Sequence, residues 1–386
     1  MKIVIAPDAF KGSLTSTQAA EALKAGITAW NPGLRCTLLP LADGGEGTVD
    51  AVLFGQSGQR ISVAVTDPLG RRIKADYAWF PEDSLAVIEM AQASGLPLLS
   101  EEERDPARAS SYGTGQLIAD ALTQGARRIV LGLGGSATMD GGYGCLQALG
   151  MVFYTDSGEM DWLDGPLDRI VRLDASGLRS ELANVEIILA SDVTNPLLGP
   201  EGAVHIFGPQ KGLQSSKIEA FEHGMESWSE LLQAETGRDV RSCPGAGAAG
   251  GIGFALSCFA HCQTRSGFDV VAEFVGLEQA LAQADVLVTG EGSMDAQSFY
   301  GKVPVAAAEM AKKRGIPTVA VAGQISGSLA EFRNAGIVLT LPIVDGVMDL
   351  RTAMEDAEHL TVNAGLRLAG AIELGVKLKA LSIDKI

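Results

Sequence analysis

Met1-Lys2-Ile3-Val4-Ile5-Ala6-Pro7-Asp8 opens the chain with a short apolar run that meets charge at Asp8, too short and too soon charged for a secretory signal. It reads as a β-strand. Behind the cap candidates Thr15 and Ser16, the residues Ala20, Leu23, Ile27 and Trp30 recur at helical spacing, and residues 36–39 form a second apolar run. Strand, helix and strand in that order make a βαβ unit, which requires a parallel sheet. Further along, the texture changes. Residues 61–66, 73–80 and 85–90 read as strands separated only by turn signals at 67–70 and 81–83, the pattern of an antiparallel meander. A helical pattern follows at 115–122, with strands at 128–133 and 185–190. Alternation then resumes: strands at 285–289, 317–322 and 337–341, helices at 303–313 and 328–334, and a helical tail from Asp349.

Both ends therefore read as parallel α/β while the middle does not, and the N-terminal part alone is too small for a stable sheet. The expected fold class is α/β with two domains. Residues 1–60 plus 280–386 would form one discontinuous, doubly wound parallel sheet, with residues 61–279 inserted as a mixed α/β domain and the active site in the cleft between them. A length of 386 residues is ample for two buried cores.

A net charge of −17 disfavours nucleic acid and anionic lipid as partners, since no local basic patch opposes it. The longest uncharged stretch, 242–264, carries too many glycines to be a bilayer helix. Five cysteines without zinc-ribbon spacing fit a reducing cytoplasm, and the chain is expected to act there as a monomer or homodimer. The 47 glycines cluster in short loops, as backbone that approaches a ligand closely would require.

In a parallel sheet ligands bind beyond the carboxyl ends of the strands, so acids just after strand runs are informative. Asp8, Asp43 and Glu46 in Ala42-Asp43-Gly44-Gly45-Glu46-Gly47-Thr48, Asp192, and Glu291 and Asp295 in Gly290-Glu291-Gly292-Ser293-Met294-Asp295 all qualify. Any one alone is more often a helix cap. Together they repel and call for cations: Mg²⁺ for two or three of them, and lysines for phosphates, for which Lys11, Lys211 and Lys302 are available. Gly132-Leu133-Gly134-Gly135-Ser136-Ala137-Thr138-Met139-Asp140-Gly141-Gly142 has the amides and hydroxyls of a phosphate cradle, and Ser111-Tyr112-Gly113-Thr114-Gly115 could supply a second set. No Walker A motif is present. Gly245-Ala246-Gly247-Ala248-Ala249-Gly250, with Asp269 downstream, matches the dinucleotide fingerprint weakly, because Pro244 precedes it and the strand before it is poor.

These motifs, in this order, resemble the type-1 glycerate kinases nearly end to end, from Ala6-Pro7-Asp8-Ala9-Phe10-Lys11-Gly12-Ser13-Leu14 through Asp192-Val193-Thr194-Asn195-Pro196-Leu197, Phe207-Gly208-Pro209-Gln210-Lys211-Gly212 and Gly301-Lys302. The resemblance implies Mg²⁺-assisted phosphorylation of D-glycerate by ATP, usually to 2-phosphoglycerate, on a flavodoxin-like domain carrying an inserted restriction-enzyme-like domain. It would make Asp8, Lys11, Asp192 and Asp295 catalytic. Substrate would meet Asp43, Gly44, Gly45, Glu46, Asn195, Lys211 and Lys302. Nucleotide would meet Gly113, Thr114, Gly115, Gly134, Gly135, Ser136, Thr138 and Glu291, and Mg²⁺ would meet Asp43, Glu291 and Asp295. Ala9, Met139 and Ser293 depart from the family pattern, where serine, asparagine and arginine respectively are usual. The alternatives are 3-phosphoglycerate as product, a nicotinamide-dependent hydroxy-acid dehydrogenase using the Gly245 loop, and a non-enzymatic ligand sensor.

Overall fold

The structure, a computed structural model, describes residues 1–161, 167–299 and 302–383; Gly301 of the sequence motif lies outside them. In chain order the strands are β1 (Lys2–Ile5), β2 (Arg35–Leu38), β3 (Gln59–Thr66), β4 (Arg72–Phe80), β5 (Leu85–Glu89), β6 (Arg128–Gly132), β7 (Val152–Thr155), β8 (Gly158–Glu159), β9 (Arg172–Asp174), β10 (Glu186–Ala190), β11 (His261–Arg265), β12 (Val286–Met294), β13 (Thr318–Ile325) and β14 (Ile337–Pro342).

Two compact units divide the chain, one of Met1–Asp43, Asp50–Gln56 and Phe268–Ile386, the other of Gly44–Val49 and Ser57–Gly267. The boundaries differ from the sequence reading at residues 44–49 and 57–60, which fall in the second unit, and at 268–279, which join the first unit because Phe268, Val271 and Leu277 pack with Val4, Ala6 and Leu287.

The first unit holds a five-stranded parallel sheet in the order β14-β13-β12-β1-β2. Counted along this unit, the order is 2-1-3-4-5, a doubly wound arrangement. Residues alternate across the sheet: Ile3 and Ile5 of β1 face helices Ser16–Trp30 and Ala357–Ile383, while Val4 and Ala6 face the layer that includes helix Val303–Lys312. Helix Ser16–Trp30 starts at a capping box, Thr15 Oγ1 accepting from Gln18 N–H while Gln18 Oε1 accepts from Thr15 N–H. Ala20, Leu23 and Ile27 are buried as their spacing requires, but Trp30 is exposed and donates to Glu373. β12 runs on to Met294, so Glu291 lies inside a strand, paired to Ala322, and not in the loop after it.

In the second unit a six-stranded sheet runs β11-β10-β6-β5-β4-β3. β3, β4 and β5 form the antiparallel meander, and β5, β6, β10 and β11 are parallel. A separate core gathers Tyr143, Phe153 and Trp228, whose rings meet edge to face, beside the small sheet β8-β7-β9. Among the described residues no helix is long and apolar enough to cross a membrane.

Candidate active site

In the first unit the direction of strand ordering reverses between β1 and β12, and a doubly wound sheet opens its ligand crevice at that switch point. Asp8 and Glu291 come from these two strands. The chain beyond β1 stays paired with β12, Ala6 N–H donating to Val288 O and Asp8 N–H to Gly290 O, which fixes Asp8 at the sheet end. Asp8 is buried, and its Oδ1 accepts from Ala9 N–H at 2.7 Å. Burial, and after it the charge of Asp43, pushes its carboxyl up to about 8, with Glu291 adding to the rise and Ala9 N–H and Lys11 opposing it. Asp43 follows β2, whose continuation bonds to Pro7 through Leu41 N–H.

Glu291, also buried, accepts from Ser298 Oγ at 2.6 Å and lies 3.5 Å from Lys302 Nζ. Burial raises its pKa, while Ser298 and Lys302 pull it down. Lys302 stands at the N-cap of helix Val303–Lys312, where Pro304 suits the first turn. Asp8, Lys11, Asp43, Glu291, Ser293 and Lys302 all line one cavity of about 690 Å³. Asp295 is outside that lining; its N–H donates to Ser298 Oγ. Ser298, which orients Glu291, was missed in the sequence, where its only signal is a hydroxyl a few residues beyond the Glu291 motif. Among the described residues no group of three or more His, Cys, Asp or Glu is arranged as a metal cage. Mg²⁺, however, is usually bound by one or two carboxylates plus phosphate oxygens and water. Mutually repelling hard oxygens at Asp8, Asp43 and Glu291 fit that requirement.

The second unit brings together a different set. Gly44, at φ +85°, rests on backbone: an added Cβ would come within 2.9 Å of Ala190 O, and one at Gly134 within 2.7 Å of Gly45 Cα. The Gly44-Gly45 segment is thus seated across the ends of β6 and β10, while Glu46 is exposed. Glu89, at the end of β5, is buried and accepts from Val49 N–H and Gln92 Nε2. Sequence reasoning missed it, although an acid closing the apolar run 85–90 was a visible signal. Asp192 is exposed and its Oδ1 accepts from Gly267 N–H at 3.2 Å, and Asn195 Nδ2 donates to Glu201 O.

Lys211 is fully enclosed, its Nζ donating to Ser136 Oγ and Thr138 O at 2.8 Å each. Burial pushes its ammonium down to about 7, with Asp140 opposing. Asp140, equally buried, accepts from Ser111 N–H and Oγ and from Gly142 N–H. In the expected cradle, Gly134 N–H and Ala137 N–H donate to Gly44 O and Ser94 O, and only Gly135 is exposed. Gly113 and Gly115 lie in the first turn of helix Tyr112–Thr123 against Thr66 O and Cys145 O, and Thr114 Oγ1 donates to Ser94 Oγ. Their groups face protein. Met139 belongs to the aromatic core, which accounts for an apolar residue there. Among the described residues no strand leads into the Gly245 segment; Gly247 and Gly250 instead press against Pro196 O and Thr138 O, so their missing side chains serve packing and the dinucleotide fingerprint lacks its strand–loop–helix frame.

The profile of the glycerate kinase family matches residues 3–373. The chain is 40% identical over 375 residues to a protein of Bacillus subtilis named glycerate kinase, covering 97% of this chain and 98% of the relative. It is 38% identical to the Escherichia coli protein named glycerate 2-kinase, over 98% and 99% of the two chains. A crystal structure from Salmonella typhimurium LT2, assigned as glycerate kinase 2, superposes with a TM-score of 0.84 at 39% identity, over 98% of this chain and 99% of that one.

Proposed function

The chain belongs to the glycerate kinase family, a family of phosphotransferases, and on that premise we propose that it transfers the γ-phosphoryl group of ATP to the C2 hydroxyl of D-glycerate, giving 2-phosphoglycerate and ADP. The observation that carries this reading is the convergence of Asp8, Asp43 and Glu291 with Lys11 and Lys302 on one cavity at the switch point of a parallel sheet. That 2-1-3-4-5 order also supports the flavodoxin-like reading of the first unit.

Phosphoryl transfer demands placement and charge neutralisation more than covalent help. In our reading Asp8 accepts the hydroxyl proton as the new O–P bond forms and the bond from γ-phosphorus to the β-phosphate oxygen breaks. A carboxylate made basic by its dry, acid-flanked position is suited to that task. Lys11 and Lys302 offset charge on the phosphates, and the Lys302–Glu291 pair keeps that ammonium at the cavity wall. Mg²⁺, held by Asp43 and Glu291 together with phosphate oxygens, would supply further charge neutralisation when bound. In the second unit Gly135 is the exposed part of its loop, and Lys211, Ser136 and Thr138 hold that loop in shape from beneath.

C2 is preferred because the Escherichia coli relative is named as a 2-kinase. With ATP, Mg²⁺, D-glycerate, enolase and pyruvate kinase, but no phosphoglycerate mutase, pyruvate should form at once. Pyruvate that appears only after mutase is added would move the product to 3-phosphoglycerate.

A further inference from the structure

The cavity of the first unit extends well beyond its charged floor. Its volume of about 690 Å³ falls in the range of roughly 300–1,000 Å³ typical of pockets that bury a drug-sized molecule. A three-carbon acid fills a corner of it. The rest is apolar: Phe10 enters from the turn after β1, Ile343 from the end of β14, and Met348, Ala353 and Met354 from the segment that follows. Gln324, near the end of β13, lines the same space with an amide that can both donate and accept. Since β14 stands three places from β1 in the sheet, and neighbouring strands lie about 4.8 Å apart, the β14 end of the apolar wall, at Ile343, and Asp8 are about 14 Å from one another.

We infer that this apolar lobe seats the purine ring of the nucleotide, its phosphates lying along the strand ends toward Lys11 and Lys302. Glycerate has no apolar face to bury there, whereas a purine has two, and thioethers such as Met348 and Met354 make favourable contacts with flat aromatic rings. The ring edge carries donors and acceptors that Gln324 can meet. An anionic tail extending from the ring matches the lysines at the far end of the same cavity. The inference rests on the kinase reading of this site and adds to it where the base is held.

Calorimetric titration of the full-length protein with ADP tests it, beside inhibition by inorganic tripolyphosphate, which has the phosphates and no base. Ala353→Phe fills the lobe and should raise the ADP Kd by about tenfold or more, leaving the tripolyphosphate inhibition constant and the D-glycerate KM within about twofold. Met354→Gln, at a side chain 37% exposed, should shift the ADP Kd in the same direction by about threefold, and it decides the matter where Ala353→Phe does not melt like the parent. An unchanged ADP Kd in a well-folded variant, or equal weakening of ADP and tripolyphosphate, overturns the inference. A parent protein that binds ADP yet transfers nothing to D-glycerate overturns the kinase reading instead, because the titration requires no turnover.

Discussion

Asp8 combines a dry position with two acidic neighbours, and both raise the cost of its charge. The folded carboxyl therefore holds its proton more tightly than the unfolded one, whose pKa is about 4. With the cavity empty, this group's contribution to stability is present below about pH 4 and is lost as the pH rises to about 8. Catalysis has the opposite sign, because a base must be ionised. We expect kcat/KM for D-glycerate, at fixed free Mg²⁺, to rise with pH as the Asp8 carboxyl, held above its ordinary range by burial, loses its proton, and then to level. Asp8→Asn should lower it by about 10²–10⁴ and flatten that limb; a variant that keeps the limb would assign the proton transfer elsewhere. Residue type and strand-end position made Asp8, Asp43, Glu291, Lys11 and Lys302 legible in the sequence. Burial was not legible: nothing in Gly208-Pro209-Gln210-Lys211-Gly212 tells that Lys211 points inward to Ser136 and Thr138 rather than outward to a substrate.

Elements were read well where periodicity was strong, as in β1, the meander and the capped helix Ser16–Trp30. They were misread where glycine was taken as loop. β12 continues through Gly290-Glu291-Gly292 because β13 pairs with it there, and at Gly290 a Cβ would lie 2.0 Å from Val321 O. The same physics governs the crossing of helices Ser16–Trp30 and Ala357–Ile383, where Gly26 and Gly365 let the backbones touch. A Cβ on Gly26 would fall 2.0 Å from Val362 O, and one on Gly365 2.5 Å from Leu23 O. Gly26→Val should therefore force the helices apart and cost about 1–3 kcal/mol or more. A lower urea midpoint with an unchanged m-value is the expected result, and an unshifted midpoint would show that the crossing is loose. At Gly26, Gly290 and Gly365 glycine enrichment thus reflects close packing, which composition alone cannot separate from approach to a ligand.

For the molecule as a whole, the chain leaves the first unit after Asp43, returns for Asp50–Gln56 and leaves again, so one sheet is assembled from distant segments. Alternation at both chain ends carried that organisation in the sequence, while the exact crossing points depended on long-range contacts of Phe268, Val271 and Leu277, which no local pattern encodes. The candidate site follows from the topology, since joining β1 to β12 sets Asp8 and Glu291 side by side, 283 residues apart in sequence. Asp43, whose charge acts on Asp8 and which lines the same cavity as Glu291, is the sharpest probe of the assignment. The decisive measurement is D-glycerate-dependent ADP formation by the parent and by Asp43→Asn at saturating ATP and Mg²⁺. We predict steady turnover in the parent and at least about a hundredfold lower kcat in Asp43→Asn, with the melting transition retained. Near-native turnover in Asp43→Asn would contradict the placing of phosphoryl transfer at this cavity.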